Sequence, residues 1–228
     1  MAESLPGPVR RYLRYAIGPN APAVRNARMT HGGFFRTKPD QRWFPIRGEE
    51  HFTADVPGFV WVGKMRVAPL IDIVARDSLQ SGRGKMLVKV CSVFPIANAS
   101  GPEMDQGARL RWLAEAVWFP DAFAGDLIRW EAVDDRFARA TLAGGGPPVT
   151  MLAEFENARL VGLSAERNRD TGRGGLVLTR WIGKCGEYRE FGGFRIPASV
   201  EVGWEIDGRE FWYARFRVRE IEYNVERD

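Results

Sequence analysis

Apolar positions along this chain follow two periods. Over most of its length they alternate with polar ones in short runs, the pattern of half-buried strands. In one block, Arg109-Leu110-Arg111-Trp112-Leu113-Ala114-Glu115-Ala116-Val117-Trp118-Phe119-Pro120, the period is helical. There Leu110, Leu113, Ala114, Val117 and Trp118 fall at i, i+3, i+4, i+7 and i+8 and make one apolar face. The spacing predicts a helix over 103–124. Ser100-Gly101-Pro102 opens it, Asp105 in the first turn suits the positive end of its dipole, and Pro120 interrupts it ahead of a short turn at Asp121-Ala122-Phe123. A second, amphipathic helix is predicted over 3–17, with Ser4 as N-cap, Val9, Tyr12, Leu13 and Ala16 as the buried face and Arg10, Arg11 and Arg14 as the solvated one.

Strands are predicted over 24–98 and again over 127–223. In the first stretch Phe59-Val60-Trp61-Val62 and Lys85-Met86-Leu87-Val88-Lys89-Val90 are the clearest. The breaks are Gly32-Gly33, Pro57-Gly58, Pro69 and Ser81-Gly82-Arg83-Gly84. In the second, the expected strands are 127–133, 136–143, 149–156, 159–165, 176–183, 187–191, 199–206 and 210–223. Asp134-Asp135, Gly144-Gly145-Gly146-Pro147-Pro148 and Asp207-Gly208 are the turn signals, and Asp-Gly between two strand patterns marks a type I′ hairpin. The segment from Ala75 to Leu87 faintly echoes that from Ala165 to Val177, with Ser81-Gly82-Arg83-Gly84 on Thr171-Gly172-Arg173-Gly174, as two similar hairpins would. The whole reads as one α+β domain over 1–228, a large curved antiparallel sheet (a half-barrel) with one or two helices on its concave face.

Composition narrows the function classes. A chain of 228 residues buries about 70% of its unfolded surface without staples. A net charge of +4, from 33 basic and 29 acidic residues, is too thin and scattered an excess to predict a nucleic-acid partner. Cys91 and Cys185 stand in strand-like apolar surroundings and are expected to be buried free thiols, although a bridge between them cannot be judged from sequence. No run reaches the roughly 18 apolar residues of a membrane helix, and no apolar signal core opens the chain, so stable membrane insertion is not expected and a cytoplasmic location is.

Motifs for chemistry are sparse. The Gly-Arg-Gly segments lack the spacing of a phosphate loop and the strand–turn–helix context of a dinucleotide fingerprint, and are expected to be hairpin tips. His31 and His51 have no second ligand at metal-binding spacing, so no metal or other cofactor is expected, and no serine sits in a nucleophile motif, which leaves catalytic residues unassigned. Arg111 and Glu115 stand at i, i+4. They are either a solvated pair or a partly buried one held between helix and sheet. Aromatic residues recur along the strands, Trp61, Trp130 and Trp181 among them. Either they fill the core, or the concave face is too wide for one helix and encloses an apolar cavity.

Leu5-Pro6 with Tyr12-Leu13, Gly33-Phe34, Phe59-Val60-Trp61, Asp77 with Gly82-x-Gly84-x-Met86, Trp130, Arg167, Trp181, Ile196-Pro197, Val202-x-Trp204 and above all Glu115-Ala116-Val117-Trp118-Phe119-Pro120 resemble an uncharacterised bacterial family of unknown function. The likeness covers nearly the whole chain, with Trp112 standing where the family carries Tyr. Members often have a membrane helix ahead of the Leu-Pro segment, and this sequence has none there. Gly193-Phe194-Arg195-Ile196-Pro197 through the last hairpin to Tyr223-Asn224 is similar to the end of the lipoprotein-carrier (LolA-like) half-barrels, whose fold implies helices on a concave face that holds acyl chains. The leading expectation is therefore binding of an apolar or amphipathic ligand, a lipid for instance, between helix and sheet, at Arg111, Glu115, Trp61, Trp118, Trp130, Arg167 and Trp181, with Arg111 and Arg167 meeting a carboxylate or phosphate head group. The alternatives are an enzyme acting on a hydrophobic substrate, with Arg111, Glu115, Asp77 or Arg167 as its polar groups, and a ligand-free interaction module. The sequence is silent on oligomeric state.

Overall fold

A computed structural model describes residues 5–226 except Arg173. Thirteen strands, β1 (Asn26–Phe35), β2 (Phe44–Thr53), β3 (Gly58–Ala68), β4 (Ile71–Gln80), β5 (Arg83–Val90), β6 (Phe94–Ser100), β7 (Ile128–Ala132), β8 (Phe137–Leu142), β9 (Val149–Glu156), β10 (Arg159–Asp170), β11 (Leu176–Phe191), β12 (Phe194–Ile206) and β13 (Arg209–Tyr223), form one antiparallel sheet. Their order is β6-β5-β4-β3-β2-β1-β13-β12-β11-β10-β9-β8-β7. The first six strands and the last seven are each a simple meander, and pairing of β1 with β13 joins them. The sheet curves without closing, and strand makes up 60% of the chain against 14% helix, so alternation has decided the fold class.

The turns are where backbone chemistry is visible. Asp207 and Gly208 have φ of 50° and 72°, the type I′ hairpin expected of Asp-Gly. Asn157 and Ala158 take the same conformation at 50° and 61°, a turn the sequence barely signals. Three expectations are corrected. Gly32-Gly33 is not a break: both lie inside β1, where a Cβ on Gly33 would meet Arg215 O at 1.9 Å, so glycine here admits close approach of β13. The stretch 187–191 is not a separate strand but the end of β11. The two Gly-Arg-Gly hairpins are not equivalent, because alternation along the meanders sets the β4–β5 turn and the β10–β11 turn at opposite ends of the sheet.

Helix α1 (Gly7–Ala16) buries Val9, Tyr12, Leu13 and Ala16, the expected face; its N-cap is Pro6, and Ser4 lies outside the described residues. Helix α2 (Pro102–Glu115) links the two edge strands, β6 and β7, and tightens into 3-10 turns at Ala116–Trp118 and Pro120–Ala124. It packs on β3 to β6 in one wing and on β8 to β10 in the other, so it spans the open side of the half-barrel. Its start is seated by a sequence-specific clearance. Gly84 N donates to Asp105 Oδ1 at 2.6 Å, and a Cβ on Gly84 would lie 2.3 Å from Met104 O. The wings approach each other where a Cβ on Gly82 would come within 2.3 Å of Gly145 O in the β8–β9 loop.

Aromatic side chains fill the interior behind α2. Trp112 is fully buried and donates from its indole to Thr53 O at 2.9 Å, while its ring packs 5.7 Å from Phe119, which meets Phe52 at 5.1 Å. Leu113 and Trp118 are buried with them, Trp118 donating to Pro197 O. Cys185 is largely buried and free, but Cys91, expected to be buried, is exposed in the β5–β6 turn. Trp118→Ala is expected to cost about 3–5 kcal/mol, as other large-to-small core changes do, read as a lowered chemical-denaturation midpoint.

Candidate functional site

Antiparallel register builds the site. Glu50 on β2 pairs with Trp61 on β3, and Trp61 pairs with Asp77 on β4, so three adjacent strands present a carboxylate, an indole and a carboxylate in one inward row. Arg111, on the face of α2 turned to that row, closes it. Its Nη2 donates to Glu50 Oε1, its Nη1 to Asp77 Oδ2 and its Nε to Glu115 Oε1, each at 2.8 Å. The guanidinium carbon stands 4.6 Å from the Phe59 ring and 5.1 Å from the Trp61 ring, on their faces. A planar fork of donors can meet several carboxylates at once in this way, which a lysine ammonium cannot reproduce. Arg111 and Glu115 are thus the partly buried pair, and the helix is tied through them to β2 and β4.

Acid outnumbers base in this cluster. Glu50 is only 1% exposed, and burial pushes its carboxyl well above the ordinary glutamate value of 4.5 against the opposing pull of Arg111. Burial also raises Glu115. The two carboxyls act on each other, and burial, the largest influence on each, favours the protonated form of both. Asp77 Oδ1 and Glu115 Oε2 are buried without a hydrogen-bond partner.

The next row belongs to His31. Trp61 Nε1 donates to His31 Nε2 at 2.8 Å, with the two rings 3° from parallel, so the imidazole proton sits on Nδ1. Burial first and then the Arg111 charge push the His31 pKa down to about 4, and the ring is neutral. Two glycines make room for this pair. A Cβ on Gly48 would lie 2.1 Å from His31 Nε2, and one on Gly63 would lie 2.2 Å from the Trp61 ring.

Of the residues singled out from sequence, Arg111, Glu115 and Trp61 are brought into direct contact. Trp181 lies farther along the same concave face and donates from its indole to Tyr213 Oη at 3.0 Å. Arg167, on β10, reaches toward α2 at Gly107 and acts electrostatically on Tyr213 along with Arg111 and Glu115. Among the described residues no carboxylate pairs with Arg167, and it lines a cleft of about 370 Å³ between α2 and β9–β10 with Gln106, Leu110 and Thr150. The remaining two are elsewhere. Trp118 is core, and Trp130 donates to Phe123 O and packs on Phe123 and Phe155. The apolar cavity expected between α2 and the strands that carry Trp61, Trp130 and Trp181 is filled, behind the end of α2, by the rings of Trp112, Phe119 and Phe123.

Sequence reasoning missed Glu50, which sits among exposed charges and gives no local sign of burial. It also missed Arg109. That residue is fully buried, and its guanidinium donates to Gly144 O at 2.7 Å and Pro147 O at 3.1 Å, drawing the glycine-proline loop onto α2. A double-mutant cycle between Arg111 and Glu115 is expected to give a coupling above the ~1 kcal/mol ceiling of exposed pairs, and Arg111→Met to cost about 3–5 kcal/mol because it strands buried carboxylates. Because Glu50 binds its proton more tightly in the folded state, its contribution is full below pH 4.5 and is lost as pH rises toward its raised folded value. The thermal midpoint of Glu50→Gln is therefore expected to vary less with pH above 4.5 than that of the wild type, which unfolding followed across that range will read.

Two solved structures are similar in fold. A DUF1329 family protein from Desulfovibrio piger matches over 99% of this chain and 96% of its own, with 10% identity and a TM-score of 0.52, which is a likeness of fold alone. A LolA superfamily protein from Nitrosomonas europaea matches over 96% and 93% with 12% identity and a TM-score of 0.44. No curated protein matches the chain. The description of a family of unknown function, DUF6544, fits residues 1–216, and the chain, with its Arg111 cluster and its helix-spanned half-barrel, belongs to that family.

Proposed function

We propose that the protein binds an apolar or amphipathic molecule, with lipid as the leading class, along the open end of the concave face. The observation that carries this reading is the fall in burial along the inward rows. Below Trp61 the inward side chains are fully packed: Met29, Phe52, Phe59 and Leu79. Beyond His31 and Trp61 the inward positions stay apolar; Ile46 and Met65 are still buried, but Phe35, Phe44, Val67 and Ile73, joined by Trp204 and Tyr213, are only partly buried. A sheet that needed no occupant there would carry polar residues on these positions.

The polar end of the ligand falls to Arg167. Arg111, expected to share that task, has its Nε and both terminal nitrogens engaged by carboxylates. Arg167 has no such partner among the described residues and lines the cleft beside α2, which Glu166 also borders; a carboxylate or phosphate head group there would complete it. A cleft of about 370 Å³ is within the range of small-molecule sites.

A second reading, chemistry on an apolar substrate, has one observation in its favour. Burial raises both Glu50 and Glu115, and a carboxyl that keeps its proton is what a general acid needs. Glu115 is the partner with side-chain surface to offer, at 15% exposed against 1% for Glu50.

Titration with a fluorescent fatty-acid probe is expected to saturate. Trp204→Ala and Arg167→Met should each weaken it about ten-fold, close to 1.4 kcal/mol, while Glu115→Gln leaves it in place. Native mass spectrometry after mild purification is expected to find a lipid adduct. Failure to saturate, with no adduct, would put a filled interaction module ahead of the binding reading, and a turnover lost in Glu115→Gln alone would favour the enzyme.

A further inference from the structure

Two neighbouring hairpin tips carry the most exposed leucine and phenylalanine among the described residues. Leu70, in the β3–β4 turn, is 93% exposed, and Ile71 follows it. Val93, Phe94 and Ile96, at the β5–β6 turn and the start of β6, are 65%, 68% and 59% exposed. The two tips form one platform, because Cys91 N donates to Asp72 O at 2.8 Å. On the other wing, Leu176, Val177 and Leu178 at the base of the β10–β11 turn are also exposed. The β3–β4 and β5–β6 tips adjoin the strand ends where Phe35, Phe44, Val67 and Ile73 leave the concave face partly open. These two tips therefore stand beside that opening.

Leu70 carries a further sign. Its φ is 63°, in the left-handed region where glycine or asparagine is the unstrained choice. A bulky apolar residue held both strained and in water gains nothing for the fold, and strain of this kind collects at functional positions. The surrounding charge is basic. Arg42 donates to Val67 O beside the tip, and Lys64 and Arg66 flank it. The acid among them, Asp72, is neutralised by Lys64 at 2.9 Å and by Arg66. Lys89 on β5 stands opposite Val74 and Pro95.

We propose that these hairpin tips dock the protein on an anionic lipid bilayer, with Leu70 and Phe94 entering the interface and Arg42, Lys64, Arg66 and Lys89 meeting the head groups. Protruding apolar tips with a basic collar suit an interface that yields around each side chain and carries negative charge. A second copy fits less well, because it would set one basic collar against another and face separate projections rather than a flat patch. This docking uses residues outside the ligand-binding reading and stands without it.

Vesicle co-sedimentation of the full chain tests it, with phosphatidylcholine alone and with phosphatidylglycerol added. Binding is expected to rise with phosphatidylglycerol, to weaken with salt, and to fall about ten-fold in Leu70→Asn/Phe94→Ser. Asparagine accepts the left-handed conformation, so the thermal midpoint of that variant should not drop. Trp204→Ala should lose the fatty-acid probe yet keep the vesicles, which separates the two proposals. Wild-type protein that stays in the supernatant at low salt, or a double variant that sediments equally, would overturn the docking. So would a dimer, seen by light scattering, that the double variant disperses while vesicles go unbound, since the tips would then be covered by a second copy.

Discussion

One guanidinium holds the helix to the sheet. Arg111 extends from α2 into a row of Glu50, Trp61 and Asp77, and its own helix supplies Glu115 as a further partner. Burying a charge costs several kcal/mol unless its hydrogen-bonding capacity is met. Here the donors on Nε, Nη1 and Nη2 all find carboxylates, and the flat faces find rings. The cluster then has more acid than base. Burial of Glu50 favours its protonated form, which lessens that excess of negative charge. Any displacement of α2 along or across the sheet would break several charge-assisted hydrogen bonds together, so the cluster fixes register as well as contact.

That constraint matters because the sheet does not close on itself. An open curved sheet of this length needs something across its mouth, and α2 is the element that touches both wings. Glycines make the crossing possible in particular places: Gly84 under the start of the helix, and Gly48 and Gly63 under the coplanar His31 and Trp61. Each exists because a side chain or backbone from elsewhere occupies the space a Cβ would need. Arg109, one residue pair before Arg111 on the helix, fastens the opposite wing by binding the carbonyls of the β8–β9 loop. Two arginines on one helix thus tie the two wings of one sheet.

The consequence for function is asymmetry along the concave face. Behind the end of α2 and its 3-10 continuation, Trp112, Trp118, Phe119 and Phe123 fill the interior. At the other end the inward rows continue as apolar residues that are only partly buried, and Arg167 has no carboxylate partner among the described residues. The exposed leucine, valine and phenylalanine tips belong to that same end.

The strands, the position of the long helix and the burial of Leu113 and Trp118 were legible in the order of residues, because they depend on periodicity and turn chemistry that act within a few positions. Asp207-Gly208 announced its hairpin for the same reason. Arg111 and Glu115 were visible as an i, i+4 pair, but whether they were solvated was not, since that depends on strands far away in the chain. Glu50 reads locally as one charge in a polar run, and Gly32-Gly33 reads as a break, until β13 arrives beside β1 and the long-range pairing gives both another meaning. Trp118, Trp130 and Trp181 are alike in sequence, yet only the curvature of the sheet decides which are walled in by other rings and which reach the open end. Local chemistry thus determined the elements, and tertiary structure decided which charges lost their water, because desolvation is set by everything that surrounds a side chain in space and by little of what stands next to it in the chain.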